Sequence, residues 1–287
     1  MRKSKQARPL KMGTVKASSE WTCDDLTNYW LLDHDSVGHP TAHSLALELF
    51  RDSVIRPSLS AVNEQIATNE RSPDREAVFF HDDLAALHHA TVESFLLTLQ
   101  AMFERALRGM LIERGKSLTA VVQREAIEAA SWHVLHEHFL RLFGLPLDCF
   151  DSHGDLDLLQ NLGSAIRHGD GPAAKRVHKL APSLWTMWLE PGTSFQAGTL
   201  LIVSSPSAPA HPQYQHITLP ESLLDQMMQS VMAFWEDIEN LRCNSFTRKH
   251  VTVKRQLAEW NARRERRQAQ RVWPEGRFAV GSVDPDL

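Results

Sequence analysis

The sequence predicts an all-α protein, an antiparallel helical bundle with a small β-hairpin excursion. Three observations predict it. Apolar residues return at helical spacing along four long stretches. The first three stop at glycine or proline. Only two short segments, Thr199–Ser204 and Gln215–Leu219, have the apolar, β-branched character of strands.

In chain order, Leu45, Leu49, Val54, Leu59 and Val62 predict a helix over about 43–68, with Pro40 and Pro57 limiting where it starts or kinks. Asn69–Pro73 is a break, and Ser72-Pro73 has the form of an N-cap followed by proline. The next helix is the strongest. Leu84, Leu87, Phe95, Leu99, Met102, Phe103, Leu107 and Met110 make one stripe. Glu93, Glu104, Arg105 and Arg108 lie off it or at its edge, and Gly115 is the expected stop. A third helix covers about 120–143 through Ile127, Val134, Leu135, Phe139, Leu142 and Phe143, ending at Gly144 and Pro146. After a turn at Asp151–Gly154, Leu158, Leu159, Leu162 and Ile166 predict a short helix that stops at Gly169-Asp170-Gly171-Pro172.

A less regular region follows. There Thr199–Ser204 and Gln215–Leu219 are expected to pair across a loop carrying Pro206, Pro209 and Pro212. Two strands alone are marginal, so they must pack on the helices. Pro220 and Glu221 open a helix lined by Leu224, Met227, Met228, Val231, Phe234, Trp235, Ile238 and Leu241. The expected organisation is a disordered basic arm at 1–19 and a helical domain at 20–247, its β excursion at about 199–219. A basic helix at 248–271 and a disordered tail at 272–287 complete it.

Composition excludes several classes. The chain has 287 residues, 43% hydrophobic and 23% charged, enough for one large or two small globular domains. No stretch approaches the ~18 consecutive apolar residues of a membrane helix. The basic N-terminus lacks the apolar run of a secretory signal. Cys23, Cys149 and Cys243 are isolated, which fits a reducing, cytoplasmic setting and no disulfide framework. The net charge of −4 is uneven: residues 1–19 carry six basic groups and no acid, and 248–271 carry nine against Glu259 and Glu265. Basic ends on an acidic body suit RNA, DNA or an acidic protein face, or are simply solvated.

No metal or other cofactor is expected. His133, His136 and His138 stand in HVLHEH, but on a helix only the first two share a face and HExxH is absent. His88 and His89 diverge. Neither a phosphate-binding glycine loop nor a nucleophile elbow is present. The most informative segment is Asp157–Pro172, DLLQNLGSAIRHGDGP, which delivers Arg167 and His168 to a helix end before Gly169. His168 there is expected to be exposed and titratable. The alternative is that both residues merely complement the helix dipole.

AIRHGDG resembles the RNxxxH or KHGDG signature of HEPN-like helical proteins of bacteria. TVESFLLTLQAMFERALRGML, with Phe103-Glu104, resembles that group's long helix, and AIEAASWHVLHEHFLRLFGLP resembles its connecting helix. The likeness covers about 80–185. It implies an antiparallel bundle that pairs as a homodimer, with a signature arginine and histidine that act on RNA without a metal in active members. The imidazole moves the 2′-hydroxyl or leaving-group proton, and a cation stabilises charge on the phosphorus oxygens. His168 matches the signature histidine. The signature arginine and asparagine fall on Gly163 and Ser164, and Arg167 sits at a different helical angle. Arg75 and His81 have a similar spacing by chance.

The expected function is a HEPN-like protein of stress or phage-defence type that binds RNA or a protein partner without catalysis. One alternative is a metal-independent endoribonuclease using His168 and Arg167; another is a structural interaction bundle. The expected nucleic-acid contacts are Arg248, Lys249, Lys254, Arg255, Arg263, Arg264, Arg266 and Arg267, with Trp260 available to stack a base or to anchor the helix.

Overall fold

A computed structural model describes residues 40–72, 77–117, 124–186, 188–197, 199–244, 246 and 248–269. The arm at 1–19, the tail at 272–287, Cys23 and the Ser72-Pro73 capping step lie wholly or partly outside them. The described chain is mostly helical. No helix among the described residues is long and apolar enough to cross a membrane.

The first helical run is α1 (Pro40–Phe50), a π-helical turn at Arg51–Ile55, and α2 (Arg56–Glu70). Pro57 lacks an N–H, and it is placed in the first turn of α2, directly after that wider turn. Next comes α3 (Ala77–Ser117), 41 residues long, running through Gly115 rather than stopping there. Its buried face is Val92, Leu96, Leu99, Phe103, Leu107 and Leu111. Leu84 and Leu87 fall outside the core, and Phe95 and Met102 sit at its edge.

The single helix expected over 120–143 is two, α4 (Arg124–Glu128) and α5 (Trp132–Phe143). The break has a cause in α3. The guanidinium of Arg108 donates to the carbonyls of Ile127 and Glu128 at the end of α4 and of Ala130 just beyond it. Gly144 then closes α5 with a left-handed φ of 74°. α6 (His153–His168) and α7 (Pro172–Leu180) follow; α7 replaces what the sequence left irregular.

The ribbon differs from expectation. β1 (Ser194–Ala197) pairs antiparallel with β2 (Leu200–Val203), in the register Ala197↔Leu200. Gln215–Leu219 is not a strand. A two-residue connection closes more cheaply than a long proline-bearing loop. Ile217 and Leu219 are buried in the helical core instead, and the Thr218 N–H donates to the Leu184 carbonyl. Nor does the helical body cover β2, whose four side chains are 46–70% exposed.

α8 (Glu221–Asn244) is buried on most of its faces and touches α1, α3 and α6; α9 (Val251–Ala269) packs on it. The core fills the space between α3, α5, α6 and α8. Phe103, Phe234 and Trp235 meet there at ring-centroid distances of 5.1–6.1 Å.

Candidate functional site

α6 aims its last turn through two buried polar locks. Asp155 Oδ2 accepts from Gln226 Nε2 (2.7 Å) and Ser230 Oγ (2.6 Å), fixing α6 to α8. Gln100 on α3 donates from Nε2 to Gln160 Oε1 (2.8 Å) and Glu104 Oε2 (2.6 Å), fixing α6 to α3. Glu104 in turn pairs with Arg108. Leu156, Leu159, Leu162 and Ala165 supply the apolar face between these locks.

The helix stops at Gly169, whose φ of 66° strains any residue with a Cβ. Arg167 and His168 are both exposed. Among the described residues the His168 ring makes no hydrogen bond, whereas Arg167 Nη1 donates to Gln100 Oε1 at 3.1 Å. The two signature positions therefore differ sharply. His168 faces solvent, but Gly163 lies in the α3–α6 contact, where an added Cβ would stand 2.9 Å from Gln100 Cγ.

The turn after His168 is pinned. Asp170 Oδ1 accepts the Tyr214 N–H at 2.6 Å, and the Tyr214 hydroxyl donates to Glu93 Oε1 on α3 at 2.6 Å. Burial first, and the Glu93 carboxylate second, push that phenol well above its ordinary pKa. His168 is thus presented from a fixed turn.

The basic segment divides. Arg248, Lys254, Arg255 and Arg266 are exposed; Arg255 lies 3.8 Å from Glu259, and Arg266 donates back to the Ala262 carbonyl. Lys249 is half-buried and donates to the Phe246 carbonyl. Arg263 pairs with Glu236 at 2.8 Å. Arg264 corrects the expectation of a nucleic-acid contact: it is buried and binds Asp237 through Nε (3.1 Å) and Nη2 (2.8 Å). Trp260 is buried with Cys243 and Leu257, so it anchors α9 and stacks no base. The Arg267 side chain lies outside the described residues.

The histidines separate as well. His133 is exposed near Glu137, and His138 is buried. His136 sits between Trp132 and His153, with ring centroids 4.5 and 5.1 Å away. Burial first, then His153, lowers its pKa to about 4. Among the described residues no group of three or more His, Cys, Asp or Glu side chains is placed to hold a metal ion.

One concavity was not legible in the sequence. A cleft of about 770 Å³ opens between α7 and the residues Pro182, 188–191 and 210–211, lined in part by Lys175, Arg176, His178, Lys179, Trp188 and Glu190. Neither Arg167 nor His168 lines it. The available signal was the basic spacing in PAAKRVHKL followed by two tryptophans in PSLWTMWLEP. The whole arrangement offers an exposed imidazole beside a guanidinium that leans on Gln100 at one place, and cations in a cleft with an aromatic ring at another. No family model, no curated protein and no solved structure matches the chain.

Proposed function

We propose that the chain is a HEPN-like helical protein of bacterial stress or phage-defence type, an antiparallel bundle acting as a homodimer, that binds RNA without cleaving it. The closed position at Gly163 carries this reading. The signature arginine of active members falls there, and even a methyl group would meet Gln100 at 2.9 Å. With glycine there, no cation stands at that position to stabilise charge growing on phosphorus oxygens. Arg167 is no simple substitute, because it sits at a different helical angle and its Nη1 is turned toward Gln100.

What remains is the exposed imidazole of His168, suited to hydrogen-bond a phosphate oxygen or a 2′-hydroxyl. A lone imidazole binds more readily than it catalyses, since strand cleavage also needs charge stabilisation and a second proton transfer. Exposed Arg248, Lys254, Arg255 and Arg266 add salt-dependent phosphate contacts.

The test combines purified protein, total RNA and EDTA with filter binding at low and moderate salt. Intact RNA, binding that weakens steeply with salt, and a severalfold loss in His168→Ala are expected. Cleavage abolished by His168→Ala would make the protein a metal-independent ribonuclease instead. Absence of binding at every salt concentration would leave a protein-interaction bundle.

A further inference from the structure

The cleft beside α7 shares no residue with the His168 end of α6. On one wall, Lys175 and Lys179 stand four residues apart on the same helical face, both exposed. Among the described residues neither makes an ion pair, while their neighbour Arg176 is held by Asp157 Oδ2 at 3.1 Å. Two like charges on one face repel each other, and an anion lying between them turns that repulsion into two charge-assisted hydrogen bonds.

Part of the remaining lining is apolar. Trp188 is half-buried and packs edge-to-face on His178 at 4.7 Å, with Pro182 and Pro191 nearby. Three residues earlier Trp185 is buried, and its indole N–H donates to the Gln213 carbonyl at 2.9 Å, which anchors this segment. Burial and the adjacent His211 lower the pKa of His178, so near neutral pH it is a packing ring rather than a third cation. Glu190 is exposed on the lining and offers a carboxylate as hydrogen-bond acceptor.

The combination selects a ligand chemistry. A bare anion uses the lysines and leaves the indole idle. An aromatic molecule without charge leaves the lysines repelling. A nucleoside monophosphate engages all three groups: phosphate on the cations, base on the ring, ribose hydroxyls or an exocyclic amine on the carboxylate. A single carboxylate facing the same space disfavours a longer polyphosphate. The volume of about 770 Å³ lies within the roughly 300–1,000 Å³ of small-ligand clefts.

We propose that this cleft binds a nucleoside monophosphate unit, its phosphate between Lys175 and Lys179 and its base against Trp188. The unit comes either as a free nucleotide or as the 5′-phosphorylated end of an RNA strand. The second source deepens the RNA-binding reading, and the first stands without it.

Calorimetric titration of the full chain with AMP, GMP, CMP, UMP, inorganic phosphate, the bare nucleosides, and RNA octamers bearing a 5′-phosphate or a 5′-hydroxyl tests it. At least one monophosphate or the phosphorylated octamer is expected to bind at least tenfold tighter than phosphate or nucleoside. Lys175→Gln with Lys179→Gln should weaken it at least tenfold, and Trp188→Leu at least fivefold. The lysines are exposed, so their variant keeps its fold. Should Trp188→Leu fail to fold, Trp188→Phe, which keeps an aromatic face, is expected to retain most of the affinity, and the nucleotide-to-phosphate ratio carries the test.

Tighter binding of the phosphorylated octamer than of any free nucleotide assigns the strand end; the reverse order assigns the free nucleotide. Binding of the free monophosphates is read without any RNA strand, which separates this cleft from the reading at α6. Phosphate binding as tightly as every nucleotide, no effect of the lysine pair, or no probe bound at millimolar concentration would each overturn the proposal.

Discussion

Two apolar clusters hold the helices, and they are built on different scales. The main one draws on residues from Leu47 to Leu241 and layers Phe103, Phe139, Phe150, Phe234 and Trp235 between the helices. The second consists of Cys243, Leu257 and Trp260, edged by Phe246 and Val253, and is flanked by the buried Arg264–Asp237 pair. The first is large enough to unfold only as a whole. The second fastens a single helix whose remaining surface is largely charged, so α9 is the part of the protein able to come away locally. Basic composition alone does not tell a ligand-binding arm from a docked helix; the neighbours of each cation do.

The largest expected effect sets the two clusters against each other. Phe103→Ala empties the centre of the main cluster and should lower global stability by about 3–5 kcal/mol in chemical denaturation. Trp260→Ala should leave that transition nearly unmoved. It should instead speed amide hydrogen exchange in Val251–Ala269, with protection of α3 and α8 retained. Equal losses in the same global transition would mean that the clusters form one cooperative unit and that the contrast is false.

Acidification sharpens the contrast, because the depressed histidines belong to the main body. His136 is neutral in the fold down to about pH 4, and burial lowers His153 as well. The unfolded chain takes up those protons near pH 6.5. Between about 6.5 and 4 the unfolded state therefore binds more protons, and stability present above 6.5 falls as pH drops through that window. A loss of up to about 2 kcal/mol between pH 7 and 4.5 is expected from His136, discounted for the partial exposure of its ring. His136→Leu should flatten the pH slope of the denaturation midpoint. An unchanged slope would place the acid sensitivity elsewhere.

Much of the frame was legible in the sequence. Helical stripes located most of α3, α5 and α8, and Gly144 and Gly169 stop their helices at positive φ. The exposure of His168 followed from its place at a helix end. Illegible features depend on distant partners. Periodicity shows that α3 has an apolar face but not that its first turns stay uncovered, so Leu87 is exposed and Val92 is buried. The break before Trp132 needs a guanidinium from α3, some twenty residues earlier. Thr199–Ser204 read as a strand, but its partner was decided by loop closure and by burial of Ile217. Arg264 has the sequence setting of a phosphate ligand, but Asp237 of α8 takes its guanidinium, and the cleft needs Trp188 and His211 brought to α7 by the chain between.

The smallest expected effect bears on the closed signature position. Replacing glycine by alanine inside a helix ordinarily stabilises by about 0.5–1 kcal/mol. At Gly163 the new methyl would stand 2.9 Å from Gln100 Cγ and 3.0 Å from its Oε1. Gln100 is flexible, but moving it strains its bonds to Glu104, Gln160 and Arg167, each worth about 0.5–1.5 kcal/mol net. Gly163→Ala alone should therefore destabilise by about 1 kcal/mol. In a Gln100→Ala background the obstacle is gone, and the same substitution should turn neutral or stabilising. The resulting coupling, read from a double-mutant cycle, should be about 1 kcal/mol or more. Strict additivity would show that α3 leaves room beside Gly163, and a cationic side chain there would no longer be excluded.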